Sequence, residues 1–168
     1  AAASGLETVV FRLSNGYGYP MDRMTEGWDL LFNDLCRQAV TTRRIVLRSA
    51  GRQCRDFIAV SDIARAADHF LGMPLGRWGR EVYNLGGERT MSILDVAKRV
   101  GSVYARIHPG AHIPVVVGED PAGSEGHRPF RYSVDKLRGT GLFLEGDMDR
   151  EIEKTLRMCI ESPEVVGE

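Results

Sequence analysis

No run of ~18 uncharged apolar residues occurs anywhere in the sequence, which excludes a membrane-spanning helix. An excess of one charge is missing too: 22 basic and 23 acidic side chains leave a formal net charge of −1. Such a balance gives no bulk attraction to nucleic acid or to an anionic membrane, so neither partner is expected and any anion must be held locally. Lysine is scarce, with 3 residues against 19 arginines. Genome base composition accounts for most of that bias, with bidentate anion binding by a few arginines as the alternative. The three cysteines, Cys36, Cys54 and Cys159, are odd in number and widely scattered, which suits reduced thiols rather than a disulfide framework. Histidine offers no metal spacing: His69 and His127 are isolated, and Pro109-Gly110 breaks any helix that would align His108 with His112. No metal is expected. A Walker A loop, an HExxH motif and a GxSxG elbow are all missing, since the string Ala122-Gly123-Ser124-Glu125-Gly126 lacks the elbow's first glycine. Without a secretory signal, the expected location is the cytoplasm. The chain opens on Ala1-Ala2-Ala3 without Met and runs directly into a strand-like segment, as a piece of a longer protein would.

What is present reads as alternating strands and helices. A length of 168 residues, 43% apolar and 27% charged, fits one soluble domain. Residues 8–13 (TVVFRL) have the character of a buried parallel strand that opens at Ser14-Asn15-Gly16 into a loop. Trp28, Leu31, Phe32, Leu35, Cys36, Ala39 and Val40 mark one face of a helix, and residues 45–47 suit a short strand. Residues 55–60 form a strand, Ser61-Asp62 supply N-cap signals, and Ile63, Ala66, Ala67, Phe70 and Leu71 line a helix stopped by Gly72 and Pro74. A strand over 81–85 is closed by Gly86-Gly87, and Ser92 caps a helix carrying Leu94, Ala97, Val100 and Tyr104. A strand over 113–117, a polar loop over 119–129 and a short capped helix over 133–138 follow. After Asp147 comes a last helix with Ile152, Leu156, Cys159 and Ile160 on one face. The alternation predicts an α/β layer structure.

Gly16-Tyr17-Gly18 imitates a dinucleotide fingerprint, but Met21 holds the third glycine position and Pro20 blocks the helix, so it is not a phosphate loop. Asn15 can donate and accept at once, which suits a phosphate oxygen or sugar hydroxyl; the alternative is a turn using Asn15-Gly16 for its permissive backbone. Arg55 could clamp a diphosphate through its planar fork, or form an ion pair with Asp56 or another carboxylate. Arg128 and Arg131, flanking Pro129-Phe130, carry the same ambiguity. Asp62 is expected to cap a helix, with a catalytic carboxylate as the alternative.

The order of these segments resembles a known family. Arg12-Leu13-Ser14-Asn15-Gly16-Tyr17-Gly18 resembles the R-x-S-N-x-Y-G stretch of the extended short-chain dehydrogenase/reductases, the NAD-dependent nucleotide-sugar epimerases and dehydratases. The run from Arg55-Asp56-Phe57 through Val60, Asp62, Ala64 and Ala66 looks like its R-D-F/W-x-x-V-x-D-x-A-x-A stretch, and Tyr83-Asn84-Leu85-Gly86-Gly87 like its Y-N-x-G-G. Asp135-Lys136-Leu137-Arg138 with Gly141 is an imperfect match to a later region.

The resemblance implies an α/β fold made of the C-terminal part of a Rossmann-like sheet plus the smaller substrate-binding lobe. Residues 1–24 would end the dinucleotide-binding sheet, and 25–168 would form mainly the substrate lobe, with a returning strand-helix unit near 55–85. By the same resemblance Leu13 and Ser14 lie beside the nicotinamide of NAD or NADP, and Asn15, Arg55 and Arg128 hold a nucleoside diphosphate sugar. Asp62 and Asn84 are structural. The family's glycine-rich loop and Tyr-x-x-x-Lys pair find no match on this reading: Tyr17, Tyr83 and Tyr104 precede Met21, Gly87 and His108 by four. No catalytic residue is therefore assigned. The chain is expected to be inactive alone, to require the N-terminal half of the same enzyme, and to form part of a possible homodimer. A non-catalytic nucleotide-sugar-binding or regulatory module is the alternative.

Overall fold

The computed structural model describes residues 8–22, 26–74, 76–77, 81–120 and 130–162. In chain order it contains β1 (Val10–Leu13), β2 (Asn15–Tyr17), a 3-10 turn (Glu26–Asp29), α1 (Leu31–Thr41), β3 (Ile45–Leu47), β4 (Cys54–Ala59) and α2 (Val60–Leu71). There follow β5 (Val82–Leu85), β6 (Thr90–Ser92), α3 (Ile93–Ile107), β7 (Val115–Val117), α4 (Asp135–Arg138) and α5 (Met148–Glu161). β1 pairs in parallel with β5, β3 with β7, and β2 with β4, while β6 lies antiparallel on the other side of β4. Parallel pairs joined through helices make the fold α/β.

β4 separates two cores because its side chains alternate between faces. Phe57 and Ala59 join Tyr17, Phe32, Leu35, Val100 and Leu156 in a core built with α1, α3 and α5. Ile58 points the other way, into a core with Ala66, Phe70, Tyr83 and Leu85. In that second core Phe70 of α2 meets Phe11 and Tyr83 edge-on, at 5.2 and 4.8 Å between centroids. α3 begins where Ser92 Oγ accepts the Asp95 N–H at 3.0 Å, and α5 where Asp147 accepts those of Asp149 and Arg150. Both are side-chain N-caps satisfying amides that a helix start leaves unpaired.

Several expectations need correction. β1 is not buried on both faces: Val10 and Leu13 are 53% and 52% exposed, although Phe11, on the same face as Leu13, packs against Phe70 of α2. Ser14-Asn15-Gly16 is not a turn, since Asn15, Gly16 and Tyr17 pair with Phe57, Ile58 and Ala59. Trp28 belongs to the 3-10 turn, with extended Leu30 separating it from α1. α2 starts at Val60 with no side-chain cap, so Asp62 already lies inside its first turn. Ile160 is 39% exposed at the far end of α5. β6 adds a strand that the sequence pattern does not predict.

Candidate functional site

β1 ends at Leu13 and β2 begins at Asn15, so Ser14 alone carries the chain from one sheet to the next. Its N–H donates to the Leu85 carbonyl at 3.0 Å, which holds this pivot against the end of β5. The Ser14 hydroxyl oxygen is enclosed and has no hydrogen-bond partner among the described residues. An enclosed polar atom left in this way costs about 1–3 kcal/mol unless another group supplies the missing bond.

Asn15 stands opposite Phe57 in the parallel ladder, and Arg55 is two residues earlier on β4, on the same face. Strand spacing and rise place the two backbone positions about 8 Å apart, within the span of one guanidinium side chain. Asn15 Nδ2 donates to the Asp56 carbonyl at 3.0 Å, leaving its amide oxygen and second N–H outward on an exposed residue. Arg55 Nη2 donates to Gln53 Oε1 at 2.7 Å and meets no carboxylate among the described residues. The ion pair with Asp56 is not formed. Strand alternation turns Asp56 to the opposite face, where the buried carboxylate accepts the N–H groups of Gly87 at 2.9 Å and Arg89 at 2.8 Å.

That carboxylate explains the Gly86-Gly87 pair. A Cβ on Gly87 would lie 2.0 Å from the Phe57 carbonyl oxygen, and one on Gly86 2.3 Å from the Tyr132 ring. The turn after β5 thus lies directly against β4 at Phe57, two residues beyond Arg55. Asp62 also has a different role from the expected cap. Its buried carboxylate accepts the N–H groups of Glu145 and Gly146, both at 2.9 Å, and is paired with Arg65. It therefore ties α2 to the segment before α5, and Asn84 similarly donates to the Ser133 carbonyl at 3.1 Å. Neither Asp56 nor Asp62 announced these bonds in the sequence, where only the double glycine hinted at a close approach.

Tyr132 and Lys136 do stand four apart, contrary to the expectation that no tyrosine has the Tyr-x-x-x-Lys spacing. The structure gives them separate structural duties. Tyr132 precedes α4 and donates its hydroxyl to the Arg12 carbonyl at 2.9 Å. Lys136 donates to the Val82 carbonyl at 2.9 Å, pairs with Glu81 at 2.6 Å and lies over the Tyr83 ring. Burial and the Asp56 carboxylate push the Tyr132 phenol above its ordinary pKa, with Arg12 partly opposing them. A proton-transfer tyrosine would need a neighbouring ammonium to lower it. Arg131 is likewise committed, to Asp135 at 2.7 Å. No group of three or more potential metal ligands occurs among the described residues.

The model of the NAD dependent epimerase/dehydratase family matches residues 1–86. The chain belongs to that family. Its fold is shared with UDP-glucose 4-epimerase from Thermotoga maritima, solved with UDP-glucose, at a TM-score of 0.72 and 18% identity over 95% of this chain and 48% of that one. RMD from Pseudomonas aeruginosa, solved with NADPH, gives 0.70 and 18%, over 91% of this chain and 48% of that one. The dTDP-glucose 4,6-dehydratase from Bacillus anthracis, solved with NAD, gives 0.65 and 22%, over 94% and 46%. The chain spans about half the length of these structures. No curated protein matches it.

The family match includes Leu13, Ser14, Asn15 and Arg55, so the pivot and the paired polar residues of this epimerase/dehydratase-family chain all fall within it. Arg128 lies beyond the match and outside the described residues. Phe130, two residues later, is held where its carbonyl accepts the Thr90 hydroxyl at 2.7 Å. Thr90 is the β6 partner of Asp56.

Proposed function

We propose that this chain is the nucleotide-sugar-binding half of an NAD(P)-dependent epimerase or dehydratase, and that Asn15 and Arg55 hold the diphosphate. One observation carries the reading: Asn15 and Arg55 share a sheet face beside each other, and the guanidinium has no described carboxylate to neutralise it. Gln53 engages only one guanidinium nitrogen and adds no charge. A diphosphate oxygen would gain charge-assisted bonds from Arg55 while the outward Asn15 amide accepts or donates to its neighbour. Arg128 is proposed as the second arginine, with Phe130 anchored to the strand beside Asp56.

The residues around the pivot suit a nicotinamide cofactor. Ser14 has an enclosed polar atom awaiting a partner, and the adjoining Leu13 side chain is half exposed. NAD or NADP, when bound, would exchange a hydride with a sugar carbon. The work proposed for this chain is to grip the diphosphate and orient the sugar. Among the described residues β1 is paired only along its β5 edge, while Val10 and Val82 expose 53% and 40% of their surface. An open parallel edge with an uncovered apolar face supports a neighbouring sheet segment, the glycine-rich half of the same enzyme, as the cover.

Calorimetric titration of the 168-residue chain with UDP-glucose tests the grip. Removing a charge-assisted contact worth ~1.5–3 kcal/mol should make Arg55→Ala weaken binding by roughly 10- to 150-fold. Absence of saturable binding by the unaltered chain, or equal affinity in the variant, refutes the assignment.

A further inference from the structure

A second polar cavity, of about 290 Å³, opens at the C-terminal ends of β2 and β4, with Tyr17, Asp62, Glu88, Arg89, Arg138 and Gly146 among its walls. It is distinct from the proposed diphosphate grip: Ala59, at this end of β4, is four residues beyond Arg55, roughly 13 Å along the strand. Tyr17 is only 2% exposed, and its ring lies 5.2 Å from that of Phe32. Its hydroxyl lies beside Gly146, another wall of the cavity, where a Cβ would come within 3.3 Å of it. No described residue hydrogen-bonds to it. Burial pushes this phenol up to about 12, so it remains a protonated donor.

The charges around that donor are almost all committed. Asp62 is held by Arg65 and two amides, Glu88 pairs with Arg138, and Glu151 pairs with Lys154. Asp147 is occupied as the N-cap of α5. Arg89 is the exception: it lines the cavity, its positive charge acts on Tyr17, and its guanidinium has no carboxylate among the described residues. Among the described residues the walls therefore offer one neutral O–H donor and one uncommitted cation, and no uncommitted carboxylate to attract a base. A cavity of about 290 Å³ lies at the small end of ligand pockets and suits a small occupant.

We infer that this cavity binds a small oxyanion, a carboxylate or free phosphate, between the Tyr17 hydroxyl and the Arg89 guanidinium. The site is separate from the nucleotide-sugar reading and stands or falls independently of it. Amide-resolved NMR of the whole chain, titrated with inorganic phosphate and separately with acetate at fixed ionic strength, tests it and identifies the preferred anion. Saturable shifts at Gly87 and Gly146 are expected, weakened about tenfold or more by Tyr17→Phe and by Arg89→Gln. Tyr17→Phe removes a hydroxyl that bonds to no described residue, so the variant should fold. Unchanged affinity in both variants, no saturable shift with either anion, or shifts confined to Asn15 and Arg55 would overturn the inference.

Discussion

Replacing Asp62 with Ala distinguishes a helix cap from a tertiary anchor by magnitude. A lost N-cap costs about 1 kcal/mol. In the structure the buried Asp62 carboxylate instead receives the Glu145 and Gly146 amides at 2.9 Å each, together with Arg65. Two orphaned amides at about 1–3 kcal/mol apiece give a loss of roughly 2–6 kcal/mol. Arg65 strands no charge, since it keeps Glu145 at 2.9 Å, and partial access of water to the exposed Glu145 favours the lower half of that range. With a urea m-value of about 1–3 kcal/mol/M for small proteins, the unfolding midpoint should fall by at least ~0.7 M, with m unchanged. Asp62→Asn, retaining one acceptor, should fall in between. Ser61→Ala should stay within about 0.5 kcal/mol, because Ser61 is exposed and makes no such bonds. A loss of 1 kcal/mol or less for Asp62→Ala, restored in full by Asp62→Ser, would return Asp62 to the role of a cap and refute the anchoring argument.

Gly87→Ala should be more damaging than a helix substitution, because its Cβ would sit 2.0 Å from the Phe57 carbonyl oxygen, a backbone atom that cannot move aside cheaply. A loss of at least ~3 kcal/mol or insoluble expression is expected, and urea unfolding within 1 kcal/mol of the parent would contradict the close approach. Tyr17 gives a pH prediction. Its folded pKa of about 12 lies above the ordinary value of 10.0, so its stabilising share is complete below pH 10 and is lost as pH rises towards 12. That share is ~3 kcal/mol. Buried Cys36 and Cys159, both pushed up by burial, add to the alkaline loss but are common to parent and variant. The stability difference between the parent and Tyr17→Phe should therefore change by about 2 kcal/mol between pH 9 and 12 in urea melts, with the rest lost above pH 12, and a constant difference would refute it.

Periodicity carried information wherever one face of an element meets a core. Leu35, Cys36 and Ala39 on α1 and Ile152, Leu156 and Cys159 on α5 are buried as their spacing requires, and Ser92 caps α3. Periodicity could not reveal β2, whose three residues include Asn15 and Gly16 and acquire strand geometry only by pairing with β4. It also could not separate β1 from a fully covered strand, because an apolar run records what faces could bury, while the exposure of Val10 and Leu13 depends on what lies beside them. Arg55 and Asn15 were legible as chemistry but not as neighbours. Their shared face follows from a register that pairs Asn15 with Phe57 across a sequence separation of 42, and the Asp56 alternative disappears only once strand alternation turns that carboxylate away.

The one-residue step at Ser14 links these observations to the proposed function. Leu13 is aligned with Leu85 in one sheet and Asn15 with Phe57 in another, so three consecutive residues cross a seam between two sheets. Their Cα atoms span at most ~7 Å. Open α/β folds place ligands where neighbouring strands diverge, because backbone groups and side chains from both directions become available in the gap. Under the proposed assignment, Leu13 and Ser14 serve the cofactor and Asn15 the diphosphate, so hydride-exchanging group and phosphate anchor are held at a fixed separation by a single covalent step rather than by the relative position of two lobes. The Ser14 amide bond to Leu85 fixes one side of that step, and the Asn15 side-chain bond to Asp56 fixes the other. Asp56 in turn holds the turn at Gly87 and Arg89, so the same carboxyl-bearing residue braces both the seam and the wall of the second cavity.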